Sequence, residues 1–263
     1  MAIRRPSGGT YIFTPRTMVF ADGIMLSNPS GRDTKWVMVA PEEIERVDII
    51  YGPYSALYGG NAIGGVVLLT TELPDETEIT ANTSYIFQNY RQYKTDDDLG
   101  AYTTHLSYGD KFGKFHIFGL YDRLESEAYP VSFATQLKSA GGAPSGNTVY
   151  GWDQDHDRSG ADRYILCSYG YSDVTTDLLK LRLAYDFNSY TQAEINFGYL
   201  TGERNIGDPE TYLTDNAGNK VYSGTVDIDG QSYTISDSQF YYQEMEHEEY
   251  MTSVSFKSEP DEG

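Results

Sequence analysis

A single cysteine, Cys167, stands in the 263 residues, which excludes an intrachain disulfide framework and any multi-cysteine zinc site. Basic residues are scarce: 19 Lys and Arg face 39 Asp and Glu, a formal charge of -20. That field repels phosphate backbones, so nucleic acid is not an expected partner. No run approaches the roughly 18 apolar residues that a membrane-crossing helix needs. A signal peptide is not expected either, because Pro6 to Thr10 occupy the place of an apolar segment behind the positive charge of Met1 to Arg5. Taken alone this places the chain in the cytoplasm, and the rest of the pattern opposes it. Catalytic signatures are equally thin. His247 is followed by Glu248-Glu249-Tyr250-Met251 and lacks the second histidine of a zinc-protease helix, and no Gly-x-Ser-x-Gly elbow occurs. The chain is therefore expected to hold no catalytic residue and no cofactor.

What is present is apolar and aromatic, at 39% and 14% of residues, too much for a disordered chain. The first seventy or so residues alternate short β-branched runs (Thr17 to Ala21, Val47 to Ile50, Val66 to Thr71) with turn-rich segments, as in a small mixed α/β unit. Asp22-Gly23 predicts a tight hairpin turn. Pro41-Glu42-Glu43 reads as one helical turn, with proline where no N–H is needed and carboxylates at the positive end of the dipole. A second single turn is predicted from Pro53, stopped by Gly59.

From Glu78 the pattern changes to long alternating segments. Ile79, Ala81, Thr83, Tyr85 and Phe87 share one face of a predicted strand; Leu179, Leu181, Leu183, Tyr185 and Phe187 share another, opposite Lys180, Arg182 and Asp186. Tyr102 to Tyr108, Ala193 to Tyr199 and Tyr250 to Phe256 repeat it, while Lys114 to Leu124 is ambiguous because Phe118 and Leu120 oppose Phe115 and Ile117. Six strands result. Tight turns are predicted at Gly109 to Gly113 and Asn188-Ser189, and long connections at about 91–100, 125–173 and 201–249. Long and short connections then alternate, which puts all long loops at one edge, as in a transmembrane β-barrel. Many tyrosines (Tyr85, Tyr90, Tyr102, Tyr108, Tyr121, Tyr185, Tyr190, Tyr199, Tyr250) fall near strand ends, where interfacial belts are built.

The run Val39-Ala40-Pro41-Glu42-Glu43-Ile44-Glu45-Arg46-Val47-Asp48-Ile49-Ile50-Tyr51-Gly52-Pro53-Tyr54-Ser55-Ala56-Leu57-Tyr58-Gly59-Gly60-Asn61-Ala62-Ile63-Gly64-Gly65-Val66-Val67, with Met18 to Gly23 upstream, resembles the plug domain of TonB-dependent outer-membrane receptors. The resemblance spans about Arg16 to Thr71 and implies plug-motif roles, structural or gating, for Asp22, Gly23, Glu45, Arg46, Asp48, Gly52, Pro53, Ser55, Tyr58, Gly59, Ala62, Gly64 and Gly65. The family usually has Arg at Tyr51 and Glu at Asp48, so a charge is lost at the first. The resemblance further implies a mainly β fold: a plug portion over residues 1–73, then the first six strands, over 74–263, of an antiparallel transmembrane barrel of about 22 strands. At about 9 to 11 residues per strand such a barrel does not fit in the 190 residues left after residue 73, so a fragment is expected. Also implied are an outer-membrane location, energised uptake of a scarce ligand (siderophore, cobalamin, oligosaccharide or similar), lipid as a partner, and the TonB-ExbB-ExbD complex, whose contact segment is absent. Plug and wall are expected to meet through reversible polar contacts.

Other sites are weaker. Asp153, Asp155 and Asp157 resemble a calcium loop, but Gly160 falls late and Tyr164 stands where a bidentate Glu belongs. Asp227 to Gly230 reads as a hairpin turn. His105 and His116 are placed on strands two and three. The connections 201–249 and 125–173 hold eleven and seven acidic residues against two and three basic ones, which suits neutral or cationic ligands better than anionic ferric siderophores. Two rival readings remain: a secreted all-β carbohydrate-binding module using faces such as Trp152, and an outer-membrane barrel hydrolase.

Overall fold

The computed structural model describes residues 17–26, 34–52, 55–58, 62, 64–128, 132–207, 209–240 and 242–258. The chain begins with four short strands, β1 (Thr17–Ala21), β2 (Ile24–Met25), β3 (Ile44–Tyr51) and β4 (Gly65–Thr71), in the sheet order β2-β1-β4-β3. β1 and β4 are parallel and the outer pairs antiparallel. Asp22 and Gly23 both take positive φ, 48° and 82°, the conformation that turns β1 directly back into β2. Between β2 and β3 lie two 3-10 turns, Trp36–Met38 and Pro41–Glu43; between β3 and β4 lies the one-turn helix α1 (Ser55–Tyr58).

Six long strands follow as one antiparallel sheet: β5 (Glu78–Gln92), β6 (Thr95–Phe112), β7 (Phe115–Ala128), β11 (Ser172–Asn188), β12 (Thr191–Ile206) and β16 (Gln243–Ser258), neighbours in chain order. Register explains the alternation. Ile79 pairs with Tyr108, Leu181 with Gly119 and Phe197, and Ile195 with Val254, so the apolar sets of all six strands lie on one outer face. That face is bare: Ile79, Leu179, Ile195 and Val254 are 75, 52, 51 and 79% exposed. The doubtful strand is resolved by burial on both sides of its pleat. Phe118 and Leu120 turn inward and are buried, while Phe115 and Tyr121 join the outer face. Tyr90 falls on the inner face rather than in an outer aromatic belt.

Two expectations about connections are corrected. Residues 91–100 are not a loop: β5 and β6 pair through Gln92 and Thr95, closed by Tyr93 with φ 54° and Lys94. The Asp96 to Asp98 run hid this ladder, in which Arg91 pairs with Asp96 and Asn89 donates to Asp98. The turn expected at Gly109 to Gly113 likewise shrinks to Gly113-Lys114, since β6 continues to Phe112. The two remaining long connections are not bare loops. β8 (Phe133–Leu137), β9 (Asp153–His156) and β10 (Asp162–Ser168) from the first join β13 (Glu210–Thr211), β14 (Gly224–Ile228) and β15 (Gln231–Ile235) from the second. Cys167 pairs with Thr211 across the two, and Leu166, Cys167, Leu213 and Ile228 are fully buried in a shared core. As expected, Asp229 and Gly230, with positive φ, close the β14–β15 hairpin.

The inner face of the large sheet carries the four-stranded unit. Val19, Ala21, Leu26, Met38, Val39, Ala40 and Leu69 pack on Phe118, Leu120, Leu178, Leu200 and Met251 in one core. Polar contacts between plug and wall are therefore only part of the seam: the centre of the contact is apolar. Each fully buried leucine there contributes about 1.5–3 kcal/mol by leaving water.

Candidate functional site

The seam between the small unit and the sheet is where unlike elements bring charge into a dry place. At the 3-10 turn Pro41–Glu43, Glu43 caps its own turn by accepting Ala40 N–H at 2.9 Å. Its carboxylate also takes both oxygens to Lys180 Nζ on β11, each at 2.7 Å, with neither side chain exposed. Burial pushes the Glu43 carboxyl above the usual range, and Lys180 pulls it the other way.

A second tie begins in the β1–β2 turn. Asp22 accepts Thr71 N–H at 3.0 Å and the Thr71 hydroxyl at 2.6 Å. Arg182, one inward position along β11 from Lys180, donates to the Thr71 hydroxyl and carbonyl and to the Glu72 carbonyl, while its Nε reaches Glu194 of β12 at 2.9 Å. A third pair joins Lys35 to Glu249 of β16. The connection to β5 also lies on the sheet: Gly109 leaves room for Pro74, whose ring carbon would stand 2.4 Å from an added Cβ.

The motif residues distribute unevenly over this seam. Asp22 is part of it, and Gly23 makes its turn. Arg46 pairs with Asp48 at 2.9 Å on the exposed side of β3, where Glu45 is exposed too, so neither reaches the sheet. Ala62 is fully buried with Met18 and Val66, beside Tyr58, whose ring meets Phe20 at 5.5 Å. Gly65 lets β3 come close, since a Cβ there would stand 2.7 Å from the Ile50 carbonyl oxygen. Gly52 has φ 126° and Gly64 is exposed. Pro53 and Gly59, and the side chain of Ser55, lie outside the described residues. Sequence reasoning missed Lys35, Glu43, Thr71, Lys180, Arg182, Glu194 and Glu249 as seam residues. A signal existed for two of them: Lys180 and Arg182 are successive inward cations in a strongly acidic chain.

The weak calcium candidate Asp153, Asp155 and Asp157 does not assemble: among the described residues no cluster of three or more such side chains suits a metal ion. Asp155 accepts from Tyr93 at 2.6 Å and Arg163 at 2.7 Å, and these two bonds hold its carboxyl well below the usual range. Asp157 instead closes its own turn by accepting from Ser159 and Ala161. His116 bonds Asp186 at 2.9 Å.

Residues 7–66 match the family described as TonB-dependent Receptor Plug Domain. The ferrienterobactin receptor of Escherichia coli strain K12 is 31% identical over 111 residues, and the ferrioxamine receptor of Yersinia enterocolitica 30% identical over 113. These matches support a fragment of a TonB-dependent receptor. The aligned regions take in 41% and 43% of this chain but only 14% and 16% of those receptors. Solved structures that resemble it are the Pseudomonas aeruginosa ferric enterobactin receptor PfeA (TM-score 0.48, 17% identity, 72% of this chain and 26% of that one) and the Acinetobacter baumannii siderophore receptor PirA (TM-score 0.49, 17% identity, 73% and 24%). In receptor terms the small unit holds the plug segment, and the six-stranded sheet is an open wall rather than a closed barrel.

Proposed function

We propose that residues 1–73 form the plug portion and 74–263 the first wall strands of an outer-membrane receptor that takes up a scarce ligand with energy supplied through a TonB-type complex. The observation that carries this is the two-sided sheet: apolar side chains stand bare on one face while the other buries the plug. From Leu179 to Phe187 the bare stripe runs about 26 Å along β11, near the height of a barrel's lipid band. A soluble carbohydrate-binding sandwich needs that same stripe inside, so its exposure favours lipid. His105 and His116, the two histidines a barrel hydrolase would use, both lie on the inner face of the sheet against the plug seam. The motif residues then act as scaffold, with Asp22 and Gly23 setting the turn that engages Arg182 and with Ala62 and Gly65 closing the plug's own packing.

For the ligand, an iron-carrying siderophore is the reading that the named relatives support, since one is a ferrienterobactin and the other a ferrioxamine receptor. The acidic outer unit argues that any anionic complex arrives with a bridging cation. Spin labels test the membrane reading. In a Cys167→Ser background reconstituted in lipid vesicles, labels at Leu181→Cys and Ile195→Cys are expected to relax with oxygen and to ignore a water-soluble nickel chelate. Nickel access at both positions overturns it. Quenching of Trp36 and Trp152, the two tryptophans, by ferrienterobactin but not by cobalamin or oligosaccharide supports the ligand class; the reverse order overturns it.

A further inference from the structure

Among the described residues of the inner face, His105 and Asn196 carry buried side-chain atoms without a hydrogen-bond partner, and His105 is the titratable one of the two. It sits on the inner face of β6, 3% exposed, between Asn82 of β5 and Asp122 of β7. Its Nδ1 has no hydrogen-bond partner. Two carboxylates from different bodies face that nitrogen: Asp122 Oδ1 of the wall at 3.7 Å and Glu42 Oε2 of the plug turn at 3.9 Å. Both distances are too long for a hydrogen bond and short enough that a small side-chain rotation closes them. Three other charge pairs of this seam are engaged with each other: Lys180 holds Glu43, Glu249 at the far end of the same row holds Lys35, and Arg182 holds Glu194. Imidazole is the side chain whose charge ordinarily changes between pH 5 and 8.

We propose that His105 is a proton-operated latch between plug and wall. A proton taken from solvent turns the ring into a cation placed between Asp122 and Glu42, drawing the plug turn onto β6 and β7. Loss of that proton leaves two carboxylates facing each other across a seam with little water, and the turn loosens. The sign is fixed by the geometry: the latch holds at mildly acidic pH and opens as pH rises. It concerns the plug's seat and is independent of the ligand class.

The test uses the full chain in detergent micelles. Amide exchange in the segment 36–51, corrected for the intrinsic effect of pH, is expected to lose protection severalfold between pH 5.5 and 8. Glu42→Gln and His105→Gln should each flatten that dependence, and the peptides of β14 and β15 should show none. Side-chain nitrogen NMR on the unaltered protein guards against a variant that misfolds: the His105 ring should take up its second proton within this range, and at a lower pH in Glu42→Gln. A ring that stays neutral down to pH 5.5, a titration unmoved by Glu42→Gln, or a protection profile identical in His105→Gln each overturns the latch.

Discussion

Glu43 and Lys180 show what a seam inside a receptor demands of single residues. Each charge loses its hydration, and the bidentate geometry with the Ala40 N–H restores much of that loss. Removing one partner strands the other. Lys180→Met alone is therefore expected to destabilise plug seating by about 3–5 kcal/mol, whereas Glu43→Leu with Lys180→Met should recover most of it. Thermal unfolding of the plug followed by amide exchange reads both, and an additive double variant contradicts the pairing. Cys167 makes the opposite case of a group kept inert. Burial first, and then the nearby Glu210 charge, push its thiol up to about 12. At pH 8 it should resist iodoacetamide in the folded chain and react within minutes once unfolded; rapid labelling of folded protein contradicts that.

At the scale of elements, the β5–β6 hairpin is tied to the outer unit by its tip. Tyr93 donates to Asp155 and its ring meets Phe133 edge-on at 4.8 Å, while Thr95 and Tyr212 share a 2.7 Å hydroxyl bond. Because the Asp155 carboxyl is depressed in the folded chain, its stabilising share is complete above the ordinary carboxylate range and is lost as pH falls through the lower folded value. Exchange protection at the hairpin tip should thus hold steady from pH 8 to about 5 and decline progressively below about 4. Asp155→Asn should remove that acid dependence, and an unchanged profile would count against the tie. The same elements show what a sequence reveals. β11, β12 and β16 were legible because over Leu179 to Phe187, Ala193 to Tyr199 and Tyr250 to Phe256 one side of each pleat is mainly apolar and the other is not. β7 was not, since Phe118 and Leu120 are apolar for the plug while Ile117 and Tyr121 are apolar on the outer face. The outer unit escaped because its strands are short and join partners far apart in sequence, as Cys167 joins Thr211. The plug turns were readable from Asp22-Gly23 and Pro41, but their wall partners were not, because no local pattern tells Lys180 that it will meet Glu43.

For the whole molecule, the two faces of the wall predict separable failures. Leu200→Ala, on the inner face, should loosen the plug by about 2–5 kcal/mol and leave vesicle insertion intact. Val254→Lys, on the outer face, should impair insertion and leave the plug core unchanged. Flotation with vesicles separates the two, and a shared phenotype contradicts the division of faces. The outer surface also carries a sharp border. Going up each strand toward the outer unit, the last aromatic or leucine of the outer face (Phe87, Tyr102, Tyr121, Leu179, Tyr199, Tyr250) gives way within a few residues to charged or polar ones: Arg91, Asp98, Glu125, Asp177, Glu203, Glu248. On the proposed membrane reading this border works as a waterline. Sinking the sheet by a single pleat repeat, about 7 Å, would submerge Asp177 and Glu248 in hydrocarbon. Raising it as far would leave Phe187 and Phe256 wet at the other rim, so the draught of the hull is set to within one turn of its own pleat.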